Sequence, residues 1–346
     1  MNVAILGAGH IACKMAEALR GLGENFCFYS VASRSLEKAE AFRDKYGALI
    51  AYGSYEEMLS DDEIDLVYIA TPHSEHMRNA LLCIDHNKNI LVEKAFTANR
   101  TQAEAVYAAA EKKNIFVAEA MWTRYMPSRN IIGNILESGR IGRLKNLEAD
   151  FSMPLLHIER LVNPALAGGA LLDLGIYSIT VPEMFFGDEY DSISIKSSLL
   201  HTGVDKTDTI TYSYKDGRKA VVKCSCEDEN SNFARIEGDK GYIVFAPINN
   251  PENVKIYDAD GKLSEQIEFP PQINGYEYEV IECSKMLEED KAEPYSMPKK
   301  ETLKMMGKMD SIRSHIGVFF PFERKGEVIH PDNEIWGENV KVTLEK

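Results

Sequence analysis

The sequence predicts two folded regions and a tail. They are a doubly wound, parallel α/β domain over residues 1–121, an α+β domain with an open, mostly antiparallel sheet over 122–318, and a polar segment over 319–346. Up to Met121, short apolar runs alternate with stretches that repeat apolar residues at helical spacing. Beyond Met121, several strand-like runs follow one another without helices between them, which is typical of an antiparallel sheet.

The first twelve residues combine a buried strand, a glycine-containing turn and the start of a helix. The apolar run 3–6 leads into Gly7-Ala8-Gly9-His10-Ile11-Ala12, after which apolar residues recur at helical spacing. In such a G-x-G-x-x-A turn, Gly7 permits the tight bend, Gly9 the approach of a pyrophosphate, and Ala12 close helix packing. Amide groups at the helix N-terminus bind the anion. We therefore predict a Rossmann domain that binds a dinucleotide, against the alternative of an ordinary glycine-rich loop.

The end of the second predicted strand indicates which dinucleotide binds. The apolar run 26–32 is followed by Ser33, Arg34 and Ser35, where an NAD site usually has a carboxylate for the ribose 2′-hydroxyl. Two hydroxyls and a guanidinium suit a 2′-phosphate instead. We expect NADP, with NAD possible. Capping of the following helix is the alternative role for Ser35.

Two further strands end in polar residues, at the edge where an open parallel sheet binds its ligand. The strand 66–70 ends at Thr71-Pro72-His73, and the strand 90–92 ends at Glu93-Lys94. Lys94 is therefore placed to act on a substrate, with a solvated loop lysine as the alternative. His73 and His76 have the spacing of metal ligands, but no partner cluster accompanies them, so we expect no metal.

The second region carries its own pair of chemical groups in the segment 168–178. Asp173 and Tyr177 lie four residues apart, so on a helix they share one face of an otherwise apolar segment. A helix cap and a core tyrosine are the alternative. Together with Lys94 the pair becomes a coherent site, because a lysine charge lowers the pKa of a phenol. Tyr177 could then exchange a proton with an alcohol or a carbonyl.

Composition limits the partners and the compartment. With 54 acidic and 39 basic residues, the formal net charge of −15 argues against nucleic acid or an anionic membrane as a partner. The sequence has no basic leader, no uninterrupted apolar run of membrane length, and six scattered cysteines, so we expect a cytoplasmic protein with reduced thiols. A sheet with helices on one face leaves the other face apolar, which predicts a homodimer through the C-terminal sheet.

Jointly, four segments resemble the glucose–fructose oxidoreductase/inositol dehydrogenase (Gfo/Idh/MocA) family over nearly the whole chain. They are residues 7–12, 70–73, 93–95 and 168–177. Within that family, the chain is most similar to the dimeric dihydrodiol dehydrogenase branch, through residues 119–125 and 169–177. The resemblance implies a pyridine-nucleotide oxidoreductase acting on a sugar, a cyclic polyol or a vicinal trans-diol.

The resemblance also implies roles for individual residues. The catalytic positions would be Lys94, Asp173 and Tyr177. With the turn and strand-end residues above, the predicted cofactor-binding set is Gly7, Gly9, His10, Ile11, Ala12, Ser33, Arg34, Ser35, Thr71, Pro72, His73, His76, Glu93, Lys94, Glu119, Trp122 and Arg124.

The chain departs from the family pattern at two positions. Ala95 stands where most members have proline, and cis peptide bonds form readily only before proline. Tyr177 stands where many members have histidine, although the most similar branch has tyrosine. The competing functions are a non-catalytic NAD(P)-binding regulator, which the joint presence of Lys94, Asp173 and Tyr177 disfavours, and an NAD-recycling glycosidase, which would use other residues. His157 and Arg160 lie in a loop that we expect to contact substrate, with no role assigned.

Overall fold

The described chain divides into two units that differ from the predicted domains. A computed structural model describes residues 1–345, with Lys325 described by its backbone alone. One unit comprises Met1–Tyr125 and Pro271–Leu303, and the other comprises Met126–Pro270 and the chain from Lys304 onward. The sequence places residues 271–303 in the second domain because helical periodicity identifies a helix without indicating the unit on which it packs.

The first unit is built on a six-stranded sheet whose strand pairs are all parallel. Its strands are β1 Asn2–Leu6, β2 Cys27–Ala32, β3 Ile50–Tyr52, β4 Leu66–Ile69, β5 Asn89–Glu93 and β6 Val117–Ala120. The helices that alternate with them are α1 His10–Gly21, α2 Leu36–Tyr46, α3 Tyr55–Leu59, α4 His73–Asp85 and α5 Arg100–Lys113. The strand order β3-β2-β1-β4-β5-β6 confirms the doubly wound sheet.

Strands of the second unit form a mixed, mostly antiparallel sheet. The elements between Pro127 and Glu268 are α6 Pro127–Glu137, β7 Leu144–Ser152, α7 Glu159–Val162, α8 Ile176–Phe185, β8 Tyr190–Leu199, β9 Asp205–Tyr214, β10 Lys219–Ser225, β11 Ser231–Gly238, β12 Gly241–Phe245, β13 Asn253–Asp258 and β14 Leu263–Glu268. The last elements are α9 Glu277–Glu288 in the first unit, α10 Lys299–Ile316, which begins in the first unit and continues in the second, α11 Asp332–Ile335 and β15 Lys341–Leu344.

The nine strands lie in the order β14-β13-β12-β11-β7-β10-β9-β8-β15. Within this sheet, only β7 with β10 and β8 with β15 pair in parallel among the described strands, so the predicted sheet class is confirmed. The alternation over 234–245 suggests one strand, but the chain bends at Asp239 and Lys240 and forms two. Gly241 begins β12, where a Cβ would lie 2.1 Å from the Tyr257 oxygen of β13. The strands β13 and β14 were not predicted: β14 is mostly polar, and β13 is a short strand with only Val254 and Ile256 buried.

The two faces of this sheet differ in polarity. The face under α8 is apolar and buried, as the alternation in β9 and β10 shows. The opposite face is mainly polar: β9 presents Thr207, Thr209, Thr211 and Ser213, and β10 presents Lys219, Val221 and Lys223. The broad apolar outer face expected from the sequence is therefore not found. That expectation came from the number of covering helices and not from the side chains themselves.

One helical stretch, Pro164–Phe185, is long and apolar enough by composition to cross a membrane. It is 83% buried inside the protein, as in the core helix of a soluble protein. Asp173 and Glu183 interrupt its apolar character. The stretch is therefore read as the core helix of the second unit.

The C-terminal segment, left open by the sequence, packs on the second unit. Arg313 of α10 is fully buried and forms an ion pair with Glu323. The Trp336 indole donates a 2.8 Å hydrogen bond to the Ser311 hydroxyl, and β15 adds a parallel edge strand to β8. These partners lie far apart in sequence, so local patterns could not reveal the docking.

Candidate functional site

The turn after β1 has the geometry that the glycine pattern predicts. Gly7 has φ +105°, and its N–H donates to the Ala32 oxygen at 2.9 Å. A Cβ on Gly7 would lie 2.8 Å from the Ala70 oxygen. The fold itself therefore requires glycine at position 7, because the neighbouring strand end comes so close.

Gly9 differs from Gly7, because the fold does not require it. A Cβ on Gly9 would lie no closer than 3.8 Å to the nearest atom, the Ala70 oxygen, which is ordinary contact. Gly9 directly precedes α1, and no side chain in the described chain caps that helix. Open space beside uncapped amide donors fits an anionic ligand that approaches the backbone closely, as a dinucleotide pyrophosphate does.

At the end of β2, the three predicted phosphate-binding residues have different surroundings. Ser33 is buried, and its N–H donates to the Tyr52 oxygen at 3.2 Å. Arg34 is exposed. The Ser35 hydroxyl accepts the Lys38 N–H at 3.3 Å, so it fills the helix-capping role that the sequence left open.

Glu93 fixes the turn that carries Lys94. Its carboxylate accepts hydrogen bonds from the Tyr68 hydroxyl and, at 3.1 Å, from the Lys94 N–H. The Lys94–Ala95 peptide bond is cis, although no proline follows. The Lys94 oxygen lies 3.2 Å from Nε2 of His73, so the turn is tied to the first residue of α4.

His76 joins two of the loops at this sheet edge. It is fully buried, with Nδ1 2.9 Å from the Ala95 oxygen and Nε2 2.7 Å from the Thr71 oxygen. Burial lowers the pKa of the imidazole, and a neutral ring donates to only one of the two carbonyls. His76 therefore supports the loops and has no exposed surface for the cofactor contact that the sequence suggests.

Glu119 also supports the Lys94 turn from behind. It is fully buried on β6, and its carboxyl accepts the Phe96 N–H at 3.2 Å. Burial raises the pKa of Glu119 to about 7. Like His76, Glu119 is a buried side chain that supports the backbone of the loops at the strand ends.

The segment 271–303 holds Trp122 and Arg124, the last members of the predicted cofactor-binding set. Trp122 stacks on Tyr276, with ring centroids 4.2 Å apart. The Arg124 side chain donates to the Ser296 oxygen at 3.1 Å and lies 3.4 Å from a Glu301 oxygen. Sequence reasoning missed this contribution because the partners are more than 150 positions away.

In the second unit, Asp173 and Tyr177 lie on the buried helical stretch. Leu171–Gly175 forms a π-helical turn that leads directly into α8. Such wide turns are frequent at functional sites. Asp173 and Tyr177 are each only 6% exposed, and the Tyr177 ring packs on Phe151 with centroids 5.5 Å apart.

Arg160 is the partner of Asp173. Its guanidinium donates two hydrogen bonds to the carboxylate, of 2.8 and 3.1 Å, in the bidentate geometry of strong ion pairs. The loop carrying Arg160 is held close to the helix, because the Gly169 N–H donates to the Leu161 oxygen at 2.9 Å. Nothing in the sequence singles out this pairing, since Arg160 in α7 and Asp173 in the π-helical turn are 13 positions apart and belong to different elements.

The described chain thus carries two groups of candidate functional side chains. The first unit gathers the turn at Gly7–Ala12, Ser33 and Arg34, the Thr71 loop and the Lys94 turn at the carboxyl edge of its sheet. The second unit holds Arg160, Asp173 and Tyr177. Residues 1–345 contain no group of three or more His, Cys, Asp or Glu side chains that could hold a metal ion.

Two family models match the chain. The oxidoreductase family with an NAD-binding Rossmann fold matches residues 1–120. The GFO/IDH/MocA C-terminal domain matches residues 132–244.

Curated relatives match over nearly the whole length. A trans-1,2-dihydrobenzene-1,2-diol dehydrogenase from Danio rerio is 33% identical over 91% of this chain and 97% of its own. The enzyme of the same name from Mus musculus is 32% identical over 93% and 98%.

Solved structures share the fold at lower identity. The 3-ketoreductase KijD10 from Actinomadura kijaniata, in complex with NADP and TDP-benzene, has a TM-score of 0.81 at 19% identity, covering 100% of this chain and 99% of its own. An aldose-aldose oxidoreductase from Caulobacter crescentus, complexed with glycerol, has a TM-score of 0.81 at 20% identity, covering 91% and 96%. Both family models and the curated relatives confirm the resemblance drawn from the sequence, and the chain belongs to the GFO/IDH/MocA oxidoreductase family.

Proposed function

We propose that the protein is an NADP-preferring oxidoreductase that transfers a hydride to or from a carbinol or carbonyl carbon of a sugar, cyclic polyol or vicinal trans-diol. The observation that carries the proposal is the buried phenol of Tyr177 one helical turn from Asp173, whose carboxylate is held by Arg160. The names of the curated relatives favour a vicinal trans-diol.

The residues of the first unit fit NADP. The α1 amides beside Gly9 would bind the pyrophosphate, and Arg34 with Ser33 would bind the 2′-phosphate. When bound, NADP supplies or accepts the hydride at its nicotinamide ring. Lys94 and its turn would contact the reacting end of the site, with Glu93 and His73 fixing the backbone of that turn.

The residues of the second unit would handle the substrate and the proton. In reduction, the Tyr177 hydroxyl donates its proton to the carbonyl oxygen, and in oxidation the phenolate accepts the alcohol proton. Asp173, ionised and fixed by the Arg160 guanidinium, would orient the neighbouring substrate hydroxyl. Lys94 would stabilise the phenolate by its charge.

A turnover assay tests this function directly. The protein is mixed with NADPH and a panel of ketoses, and separately with NADP and trans-diols, while NADPH absorbance is followed. Consumption or formation of NADPH with one class supports the proposal. Tight NADPH binding without turnover on any member of the panel would favour a regulatory protein.

The cofactor preference is expected to depend on Arg34. Arg34→Ala should weaken NADPH binding about tenfold to a hundredfold and leave NADH binding nearly unchanged, because only NADPH presents the 2′-phosphate dianion. Lys45→Ala, at the far end of α2, is the matched control that removes one cation and should change neither affinity. Fluorescence titration measures both, and equal NADPH and NADH affinities in the unmodified protein would contradict the assignment.

We also propose that the protein is a cytoplasmic homodimer joined through the sheet of its second unit. Each of the six cysteines, all in the described chain, is a free thiol, which supports a reducing compartment. The outer sheet face mixes acidic Glu148 with basic Lys223 and Arg235, and such a face can complement itself around a two-fold axis. Sedimentation at micromolar concentration should give a dimer, and a monomer alone would contradict the proposal.

A further inference from the structure

Two fully buried carboxyl groups in the second unit take no part in the proposed chemistry. Asp205 and Asp208 of β9 are 1% and 0% exposed. In the sheet register, Asp208 lies opposite Ser197 of β8 and Cys224 of β10. Buried carboxyl groups are costly unless they are bonded, so their contacts indicate why they are there.

Asp205 contacts the start of the π-helical turn. Its Oδ2 accepts the Leu171 N–H at 2.6 Å, and Leu171 is the first residue of that turn. First-turn amides have no acceptor within their own helix. A Cβ on Gly169 would lie 2.2 Å from Oδ1 of Asp205, so glycine at position 169 is what lets the carboxylate approach the backbone.

The hydrogen bond with Asp208 favours the charged form of Asp205. The two carboxyl groups lie within hydrogen-bonding reach, an arrangement that requires a proton between them. Burial raises the pKa of both carboxyl groups, and the charge of Asp205 raises the pKa of Asp208 further, so Asp208 is the more readily protonated of the two. The charge of Arg313 also favours the Asp205 anion. The buried thiols of Cys224 and Cys226 are the other titratable groups that face the two carboxyl groups. A charged acceptor makes the stronger bond to the Leu171 amide.

The far end of the same turn rests on the neighbouring strand. A Cβ on Gly175 would lie 2.9 Å from the Cys224 sulfur, so the turn is packed directly on β10. Asp173 lies between these two fixed points, and Tyr177 follows immediately after them. We propose that Asp205, bridged to Asp208, is a positioning residue that sets the placement of Asp173 and Tyr177 for the reaction. The roles of those two residues rest on the proposed function, whereas the anchoring of the turn does not.

Substitutions at Asp205 separate anchoring from bulk packing. Asp205→Ala removes the acceptor and should lower kcat about tenfold to a hundredfold, as small misplacements of reacting groups do, while the Kd for NADPH stays within about twofold. Asp205→Asn keeps an oxygen for Leu171 and donates its amide to Asp208, so it should restore kcat to within about threefold of the unmodified protein. Asp191→Asn, an exposed change on β8, is the matched control and should leave kcat unchanged.

Hydrogen exchange gives a readout that does not depend on turnover. Amides in a peptide spanning 170–178 should exchange faster in Asp205→Ala than in Asp205→Asn or the unmodified protein, at equal distance from each variant's melting temperature. If Asp205→Ala does not fold, Asp205→Ser carries the same expectations, because its hydroxyl is too short to reach the Leu171 amide.

The outcomes distinguish this proposal from the proposed function. Unchanged exchange across 170–178, unchanged kcat in the folded Ala or Ser variant, or equal loss of kcat in Ala and Asn would each overturn it. If the unmodified protein turns over no sugar or diol, the proposed function fails. In that case the exchange of residues 170–178 alone decides whether Asp205 sets the turn.

Discussion

Replacing Tyr177 by Phe is expected to lower turnover by about 10²–10⁴-fold, the contribution of a positioned acid–base group. The substitution keeps the ring that packs on Phe151 and removes only the hydroxyl. NADPH binding should be retained, because the residues proposed to bind the dinucleotide belong to the first unit. The effect should therefore appear in kcat and not in the Kd for NADPH.

The measurement requires that the chemical step limits turnover. A kinetic isotope effect with NADPH deuterated at the transferred position establishes this, and kcat is then compared between the variant and the unmodified protein. Tyr295→Phe, which removes an exposed hydroxyl, is the matched control and should behave as the unmodified protein. An unchanged kcat in Tyr177→Phe would remove Tyr177 from the mechanism.

Replacing Lys94 by Ala is expected to produce a loss of similar size, because it removes the charge proposed to stabilise the Tyr177 phenolate. The pH profile should change as well. Without the lysine charge, the pKa of the phenol rises, so the acidic limb of kcat for oxidation, where the phenolate becomes protonated, should move to higher pH. Lys94→Arg keeps the charge and should lose less than Lys94→Ala.

Combining the two substitutions tests whether the residues act as one unit. Lys94→Ala/Tyr177→Phe should be little worse than the more damaged single variant, as expected for groups that serve one proton transfer. If the losses of kcat in the two single variants multiply fully in the double variant, Lys94 and Tyr177 have independent roles and Lys94 is a binding residue. Comparing kcat of the double variant with kcat of the two single variants, with NADPH affinity as the control, decides whether the two residues act together or independently.

The sequence predicts those parts of the site that depend on neighbouring residues. The turn at Gly7 and the polar strand ends at Ser33 and Lys94 lie where the sequence places them, because strand, turn and helix signals act over a few positions. The helix with Asp173 and Tyr177 was likewise expected. Its π-helical turn was not, because Asp205, which accepts the Leu171 amide there, lies more than 30 positions away.

Features that depend on contacts between residues far apart in the chain could not be predicted from the sequence. The partner of Asp173 is Arg160, which follows no periodic pattern. The assignment of residues 271–303 to the first unit depends on contacts such as that of Tyr276 with Trp122. The polarity of the outer sheet face, by contrast, is visible in the sequence as the alternating hydroxyl residues of β9.

The first unit consists of two stretches of chain separated by about 145 residues of the second unit. The carboxylate of Glu277 accepts the N–H groups of Ile273, Asn274 and Gly275 and so orders the start of the returning stretch. The Asn274 amide ties this segment to α1 by donating to the Lys14 oxygen at 2.8 Å. On the ribosome, the nucleotide-binding unit therefore cannot be completed until residues 126–270 and the returning stretch 271–303 have emerged. A gene fragment ending near codon 125 would encode a Rossmann sheet without its closing segment, and the second unit is in this sense a domain inserted into the first.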